Sequence, residues 1–314
     1  MSIPATHVTE NPTRVTAQSL IELARAGEQL PLRSVNLRAL NSGLYVSPFK
    51  GRGMEFDETR PYQPGDDIRS LDWKVTARTG KAHTKLFREE RERPVLLWVD
   101  LRKSMFFATR GVYKSVMAAR ASALLAWSTA AHGDRLGGLI FSDDTHRELP
   151  PKNGRGAVLR FIQSLSHHPA WDQNGAPPSA PQADTVQHAV LRLRNVARPG
   201  SLIFLLSDFR HLNEQGESHL NQIARHNDVV LVHISDPLEN RLPPPGRYRL
   251  SDGERILSID TADRHLREHY EQRRREHLER LQRLCGRNRI FMLPLGTQDH
   301  VVHKLQTGLG LRTK

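Results

Sequence analysis

The stretch PVLLWVDLRKSM, residues 94–105, decides the fold of this chain. Its apolar run from Val95 to Val99 ends on Asp100, and Ser104 follows in a short polar loop ahead of a helix-like segment. A parallel strand covered by helices on both faces is apolar throughout, and open α/β sheets bind ligands at the carboxyl ends of such strands. The stretch therefore predicts a buried strand that carries Asp100 to a ligand-binding edge. An aspartate in this position is also typical of a helix cap or a turn.

The chain beyond this strand alternates between strands and helices. Apolar runs predict strands, and amphipathic segments predict helices. The strands are at 134–142, 201–208, 228–235 and 289–293, and the helices at 112–132, 154–166, 185–197, 220–227, 266–289 and 298–308. Residues 248–260 predict a hairpin that turns at Asp252-Gly253. This alternation is typical of an α/β fold with a doubly wound, mostly parallel sheet.

Composition divides the chain into three predicted parts. Residues 1–44 form a helical appendage, residues 45–93 a charged, Gly/Pro-rich module with some β structure, and residues 94–314 the α/β domain. The charges of the middle part nearly cancel, so we expect it to be an ordered module with internal ion pairs rather than a linker.

Local patterns give further expectations for the first two parts. In the appendage, the amphipathic segment 16–27 predicts one short helix that ends at Gly27. In the module, only residues 81–90 alternate like a strand, and we expect Trp73 to be buried.

Composition also bounds the class of protein. With 314 residues, 38% of them hydrophobic, the chain can bury a full core. Its apolar runs fall short of the roughly 20 residues that a membrane span needs, and its first residues lack the apolar core of a signal peptide. The single cysteine, Cys285, excludes a disulfide framework. We therefore expect a soluble cytoplasmic protein.

The net charge of +12 raises the question whether the partner of this chain is nucleic acid. Much of the excess lies in the predicted helix 264–289, where residues 266–289 alone contain eight arginines and four glutamates. Three glutamates precede an arginine by four residues, at 271–275, 276–280 and 279–283, which is the favourable order for ion pairs on a solvated helix. A solvated helix is the favoured interpretation. Nucleic-acid binding through this helix, with almost no aromatic residues for base stacking, is the alternative.

The sequence lacks the motifs of several enzyme classes. No GxGxxG follows a predicted strand, and no phosphate-binding GxxxxGK[ST], GxSxG or HExxH motif supports a nucleotide hydrolase, an esterase or a zinc protease. A metal-dependent phosphoesterase built on Asp66, Asp67 and Asp72 would need carboxylates that converge on two ions. Structural pairing of these acids is the favoured interpretation. We expect His167 and His168 at the surface, ahead of a Pro-rich loop.

Polar residues at two predicted strand ends carry a family resemblance. The pattern of Asp100-x-x-x-Ser104, a later Asp134-Arg-Leu-Gly-Gly strand and Leu-Leu-Ser-Asp208 resembles the von Willebrand factor type A fold and its metal-ion-dependent adhesion site. The resemblance implies that Asp100, Ser104 and Asp208, with Thr185 in the place of the family threonine, hold Mg²⁺ or Mn²⁺. Hard oxygen ligands suit both ions.

Arg102 departs from that pattern. The adhesion site begins Asp-x-Ser-x-Ser, and Arg102 stands at the position of its first serine. The arginine could pair with Asp100 and Asp208 and take the electrostatic role of the metal, or it could point outward and leave a weakened, degenerate site. A structural role for Asp100 and Ser104, capping the following helix, is a further interpretation.

Upstream motifs extend the resemblance. They read Gly51-Arg-Gly-Met-Glu-Phe, Arg60-Pro-Tyr-Gln-Pro-Gly-Asp66-Asp67, Arg69-Ser-Leu-Asp72-Trp73 and Thr76-Ala-Arg78. These motifs are similar to those of the bacterial family known as domain of unknown function fifty-eight, and the resemblance covers about residues 45–208.

This second resemblance implies which proteins the chain acts with, rather than a reaction that it catalyses. Such proteins occur with MoxR-type AAA+ ATPases and other von Willebrand factor A proteins, in chaperone-like assembly or maturation of proteins. It implies a non-enzymatic adaptor that binds the ATPase or its client at the carboxyl-end face around Asp100, Ser104 and Asp208. Residues 51–93 would supply a second surface.

Overall fold

The structure is a computed structural model, and it describes most of the residues of the chain. The described residues are 11–30, 32, 54–62, 71–89, 93–172, 184–240, 242–251 and 256–310. Asp66, Asp67, Arg69 and the tip of the 248–260 hairpin lie outside them. The chain forms two compact units, Val46–Arg93 and the remainder, Met1–Tyr45 with Pro94–Lys314. The three-part division made from composition stays a prediction.

The larger unit is an α/β fold around a six-stranded sheet. In chain order it contains α1 Ala17–Ile21, α2 Ala24–Glu28, β3 Pro94–Asp100, α4 Lys114–Ala131, β4 Arg135–Phe141, β5 His146–Lys152, α5 Arg155–Ser166, α6 Thr185–Val196, β6 Leu202–Ser207, α7 Glu214–His226, β7 Asp228–Ser235, α8 Pro237–Asn240, β8 Arg247–Ser251, β9 Ile256–Asp260, α9 Arg264–Asn288, β10 Phe291–Gly296 and α10 Val301–Gly308. The sheet order is β10-β7-β6-β3-β4-β5, with all pairs parallel except β4 with β5. The predicted doubly wound, mostly parallel sheet is confirmed.

The alternation of side chains along β3 explains the two layers of helices. Val95, Leu97 and Val99 face a core completed by α4, α5 and α10. Leu96 and Trp98 face the opposite core, completed by α6, α7 and α9. Because successive strand residues point to opposite faces, a strand buried on both faces must be apolar at every position.

The N-terminal segment differs from the single helix that was predicted. It forms α1 and α2, and Gly27 lies inside α2 instead of ending a helix. Trp127 Nε1 on α4 donates to the carbonyl of Leu20, and Ser128 Oγ donates to the carbonyl of Leu30. These contacts join the segment to the core of the larger unit.

Two strands were missed in the sequence, and one hairpin was found. Strand β5 carries Pro150 and Pro151 and is mostly exposed, which is typical of an edge strand that neither alternates nor needs a full set of ladder donors. Strand β1, Met54–Pro61, lies in the smaller unit and pairs antiparallel with β2, His83–Glu89. Helix α3, Trp73–Thr79, lies between these two strands in the sequence. The predicted hairpin over 248–260 is confirmed as the antiparallel pair β8 and β9.

Among the described residues, no helix combines the length and apolarity that crossing a lipid bilayer requires.

Candidate functional site

The candidate site lies at the carboxyl edge of the sheet. Strands β3, β4, β6, β7 and β10 run parallel, so the loops that follow them meet at one edge. Asp100 ends β3, and Asp208 directly follows β6, the neighbouring strand. The sequence-based expectation that these two aspartates come together is met.

Asp100 is fully buried and holds the guanidinium of Arg102. Arg102 Nη2 lies 2.6 Å from Asp100 Oδ2, and Arg102 Nε lies 3.0 Å from Oδ1. The Arg102 backbone amide also donates to Oδ1, at 2.9 Å, and Ser207 Oγ donates to Oδ2, at 2.6 Å. The sequence leaves two orientations open for Arg102. In the structure its side chain points inward, to the aspartates. Both oxygens of Asp100 are engaged by groups of the chain itself.

Asp208 is bound by a second buried cation. Lys114 Nζ, on the first residue of α4, lies 2.9 Å from Asp208 Oδ2 and 2.5 Å from Glu239 Oε1. Arg102 Nη2 lies 3.5 Å from Asp208 Oδ1 and so bridges the two aspartates. Half-exposed Arg210 donates to Glu239 at 3.0 Å and lies 3.8 Å from Asp208. We call these six residues, Asp100, Arg102, Lys114, Asp208, Arg210 and Glu239, the ion network.

Each member of the ion network whose pKa is shifted is shifted in the direction that favours its charged form. Burial by itself would raise the pKa of the Asp208 carboxyl, but Lys114 and Arg102 hold it well below its usual range. Burial would lower the pKa of Arg102, but the charge and hydrogen bonds of Asp100, with Asp208 and Asp143, leave it raised. Asp208 and Arg102 are deprived of water, but each has a partner of opposite charge at hydrogen-bond distance, which favours its charged form.

The backbone after Asp208 is tightly constrained. Phe209 and His211 have positive φ, +54° and +65°, a region that costs free energy for residues other than glycine. Phe209 is buried, and its amide donates to Ser207 Oγ at 2.8 Å. The Arg210 amide donates to Asp208 Oδ1, and the Arg210 carbonyl accepts from Arg102 Nη1. The ion network therefore holds this loop in a strained conformation.

Neighbouring loops are fixed by further carboxylates. Asp236, after β7, accepts from the backbone and hydroxyl of Thr109 and from Thr297 Oγ1. Burial opposes its ionisation, but these hydrogen bonds keep the pKa of Asp236 lowered. Asp143 accepts from the Lys103 amide at 2.8 Å. The loops after β3, β4, β6, β7 and β10 are thus tied together by side chains of the chain itself.

The remaining predicted metal ligands, Ser104 and Thr185, take different places. Ser104 lies in a 3₁₀ turn, Lys103–Met105, and within the described residues its buried hydroxyl has no hydrogen-bond partner. Thr185 begins α6 and is not a member of the ion network. The nearby contact from α6 comes from Gln187 Nε2, which donates to the His211 carbonyl at 3.0 Å.

This donor set does not fit Mg²⁺ or Mn²⁺. A divalent ion needs free carboxylate oxygens, but those of Asp100 and Asp208 are occupied by Arg102 and Lys114. No group of three His, Cys, Asp or Glu side chains in the described part of the chain could hold a metal ion. The hydroxyl of Ser104, which has no hydrogen-bond partner within the described residues, is an oxygen of the kind that a metal would use. The predicted ligand set of Asp100, Ser104, Asp208 and Thr185 is not assembled in this arrangement.

Comparison with known proteins identifies the family. The family profile described as "Protein of unknown function DUF58" matches residues 58–280. The chain belongs to the DUF58 family. It is 31% identical over 225 residues to the uncharacterized proteins Rv1480 of Mycobacterium tuberculosis and Mb1516 of Mycobacterium bovis, across 70% of this chain and 68% of each relative. A solved structure, the conserved hypothetical protein BatB from Bacteroides thetaiotaomicron, matches with 13% identity and a TM-score of 0.44, across 69% of this chain and 97% of BatB.

The DUF58 motif residues of the smaller unit include a helix cap and an exposed tryptophan. Asp72 caps α3 by accepting from the backbone amides of Lys74 and Val75. Trp73 is 69% exposed, so the prediction that it is buried is wrong. Arg78 is exposed in the last turn of α3, and Arg60 lies on β1. Trp73 is the first residue of α3, directly after this cap.

Sequence reasoning missed three members of the ion network, Lys114, Arg210 and Glu239. Lys114 had a signal: it opens the otherwise Ala-rich apolar segment that forms α4. A cation at a helix N-terminus is opposed by the helix dipole, so its position indicates carboxylate partners elsewhere in the fold. Glu239 had no comparable signal in its short polar segment. The prediction for His168 was wrong as well, because it is buried.

The basic helix α9 is partly neutralised in this DUF58 protein. Arg283 pairs with Glu279 as predicted, and Arg264 pairs with Glu268. Arg280 pairs with Glu217 of α7 instead of the predicted Glu276. The helix also buries Leu281, Leu284 and Cys285 against the sheet. These contacts give helix 264–289 a packing role and add no support to nucleic-acid binding.

Proposed function

We propose that this DUF58 protein is a non-enzymatic adaptor of the bacterial cytoplasm that binds a MoxR-type AAA+ ATPase in the assembly or maturation of other proteins. The observation that carries the proposal is the closed ion network at the carboxyl edge. Its three carboxylates and three cations bind one another, so their contacts organise loops instead of presenting reactive groups. A face whose loops are preorganised loses little entropy when a partner binds.

The rim of that face offers groups for recognition. Arg110 is exposed on the loop after β3, Asp144 on the loop after β4, and His211 on the loop after β6. Binding energy in protein interfaces concentrates in a few side chains, among which arginine and tryptophan are enriched. Arg110 is therefore the rim residue whose substitution is most informative.

Trp73 supports a second contact surface in the smaller unit. Its side chain is one of few large apolar groups exposed among the described residues, and exposed Lys74 and Arg78 accompany it on α3. Tryptophan anchors interfaces because it contributes a large contact area with only two side-chain torsions. The flanking cations suit an acidic partner surface.

The test is direct binding between the purified protein and the MoxR-type ATPase of its native host, measured by surface plasmon resonance. We expect wild-type binding, and a loss of about tenfold or more in affinity for Arg110→Glu and for Trp73→Ala, the size of a hot-spot contribution. The matched controls are Arg225→Glu, at the opposite edge of the sheet at the end of α7, and Leu159→Ala, another exposed apolar side chain. The absence of wild-type binding would contradict the proposed partner, and equal losses in the controls would contradict the proposed surfaces.

A further inference from the structure

The ion network occupies the place where the related adhesion site would hold a divalent ion. Asp100, Ser104 and Asp208 are the positions that the von Willebrand factor A pattern assigns to metal. Arg102 stands where that pattern has a serine, and its guanidinium lies between the two aspartates, 2.6 Å from Asp100 and 3.5 Å from Asp208. The positive charge between these carboxylates therefore comes from the chain itself.

The charges of the network cancel. Asp100, Asp208 and Glu239 contribute three negative charges, and Arg102, Lys114 and Arg210 contribute three positive ones. A divalent ion would add two positive charges to a cluster whose charges already cancel and in which Asp100, Arg102, Lys114 and Asp208 are buried. It would also have to displace hydrogen bonds that satisfy both oxygens of Asp100. Both effects oppose metal binding.

We propose that Arg102 and Lys114 are built-in replacements for the divalent cation, so that this site orders its loops without Mg²⁺ or Mn²⁺ and is closed to them. Arg102 is the residue that closes it. The buried hydroxyl of Ser104 fits this proposal, because it is an oxygen of the metal pattern that has no hydrogen-bond partner within the described residues. The inference concerns metal binding alone, so it stands or falls separately from the proposed partner.

A single substitution tests the proposal. Arg102→Ser restores Asp-x-Ser-x-Ser at residues 100–104, removes one positive charge and removes the guanidinium hydrogen bonds to both oxygens of Asp100. The probe is Mn²⁺ alone, followed by the loss of the electron paramagnetic resonance signal of the hydrated ion. We expect the wild-type protein to bind no Mn²⁺ at millimolar concentration. We expect Arg102→Ser to bind one ion per chain and to gain thermal stability from it.

The matched control is Arg210→Ser, which removes one positive charge from the same network without restoring the serine pattern. We expect this variant to bind no Mn²⁺, because Arg102 still occupies both oxygens of Asp100. A folded Arg102→Ser protein that binds no Mn²⁺, or an Arg210→Ser protein that binds it equally well, would overturn the proposal. If Arg102→Ser does not fold, the wild-type titration decides alone: one bound ion that is lost in Asp100→Asn refutes the proposal, and no bound ion supports it.

Discussion

Lys114 Nζ lies 2.9 Å from Asp208 Oδ2, and the two side chains are 0% and 2% exposed. This pair joins the first turn of α4 to the loop after β6, across the carboxyl edge of the sheet. Burial of such charges is tolerated only while both partners are present, because an uncompensated charge in the interior is strongly destabilising. The pair is therefore a structural link, and removal of either side chain should destabilise the fold.

Replacement of Lys114 by methionine tests this link. The substitution keeps the length of the side chain but leaves Asp208 and Glu239 without their shared ammonium. We expect the free energy of unfolding to fall by about 3–5 kcal/mol, measured by urea denaturation. Lys152→Met, at an exposed position of β5, is the control and should change it by less than about 0.5 kcal/mol. A loss below about 1 kcal/mol for Lys114→Met would contradict the link.

Gly27 provides a prediction about packing. A Cβ atom at this position would lie 2.6 Å from Trp127 Cβ and 2.8 Å from the Leu124 carbonyl oxygen, so α2 can approach α4 only with glycine. We expect Gly27→Ala to lower the free energy of unfolding by about 1–3 kcal/mol, as overpacked cores do. Gly156→Ala is the control, because a Cβ there meets open space in helix α5 and should stabilise by about 0.5–1 kcal/mol. A neutral result for Gly27→Ala would show that α2 can shift away from α4.

His168 predicts a pH dependence of stability. Burial, assisted by Arg147, lowers the pKa of His168 to about 4, and its Nδ1 accepts from the Ala170 amide. The unfolded chain takes up a proton near pH 6.5 while the folded chain resists it. Stability should therefore fall as the pH drops from 7 towards 4, with a contribution from this residue of about 2 kcal/mol.

The measurement is the free energy of unfolding of the wild-type protein and of His168→Gln at pH 7 and at pH 5. The variant should lose less stability on acidification than the wild-type protein, since it has no proton to gain at this position. His188→Gln, at an exposed position, is the control and should follow the wild-type curve. Identical pH dependence in all three proteins would refute a role for His168.

The sequence was informative wherever burial imposes a pattern. The apolar runs of β3, β6 and β7 predicted a parallel sheet, and parallel neighbours necessarily bring Asp100 and Asp208 to one edge. Strand β5 was missed because an exposed edge strand with two prolines has no such pattern. Burial on both faces fixes the residue pattern of a central strand. An exposed edge strand has almost no such constraint on its residues.

The network was only half predictable for a different physical reason. The two orientations of Arg102 differ in side-chain torsions, which no sequence pattern records. Lys114 and Glu239 reach the site from separate elements, so their partnership depends on the tertiary fold. Trp73 was expected to be buried from its residue type alone, but it is exposed at the start of α3, and residue type does not record which face of a helix packs against the rest of the fold.

The most direct test of the central claim, that resident cations take the place of a metal, is a crystal structure of the wild-type protein grown with Mn²⁺ and examined by anomalous scattering. The account predicts no anomalous peak between Asp100 and Asp208, with the guanidinium of Arg102 bound to Asp100 as described. A manganese peak bound to Asp100, Ser104 and Asp208, with Arg102 turned outward to solvent, would contradict it.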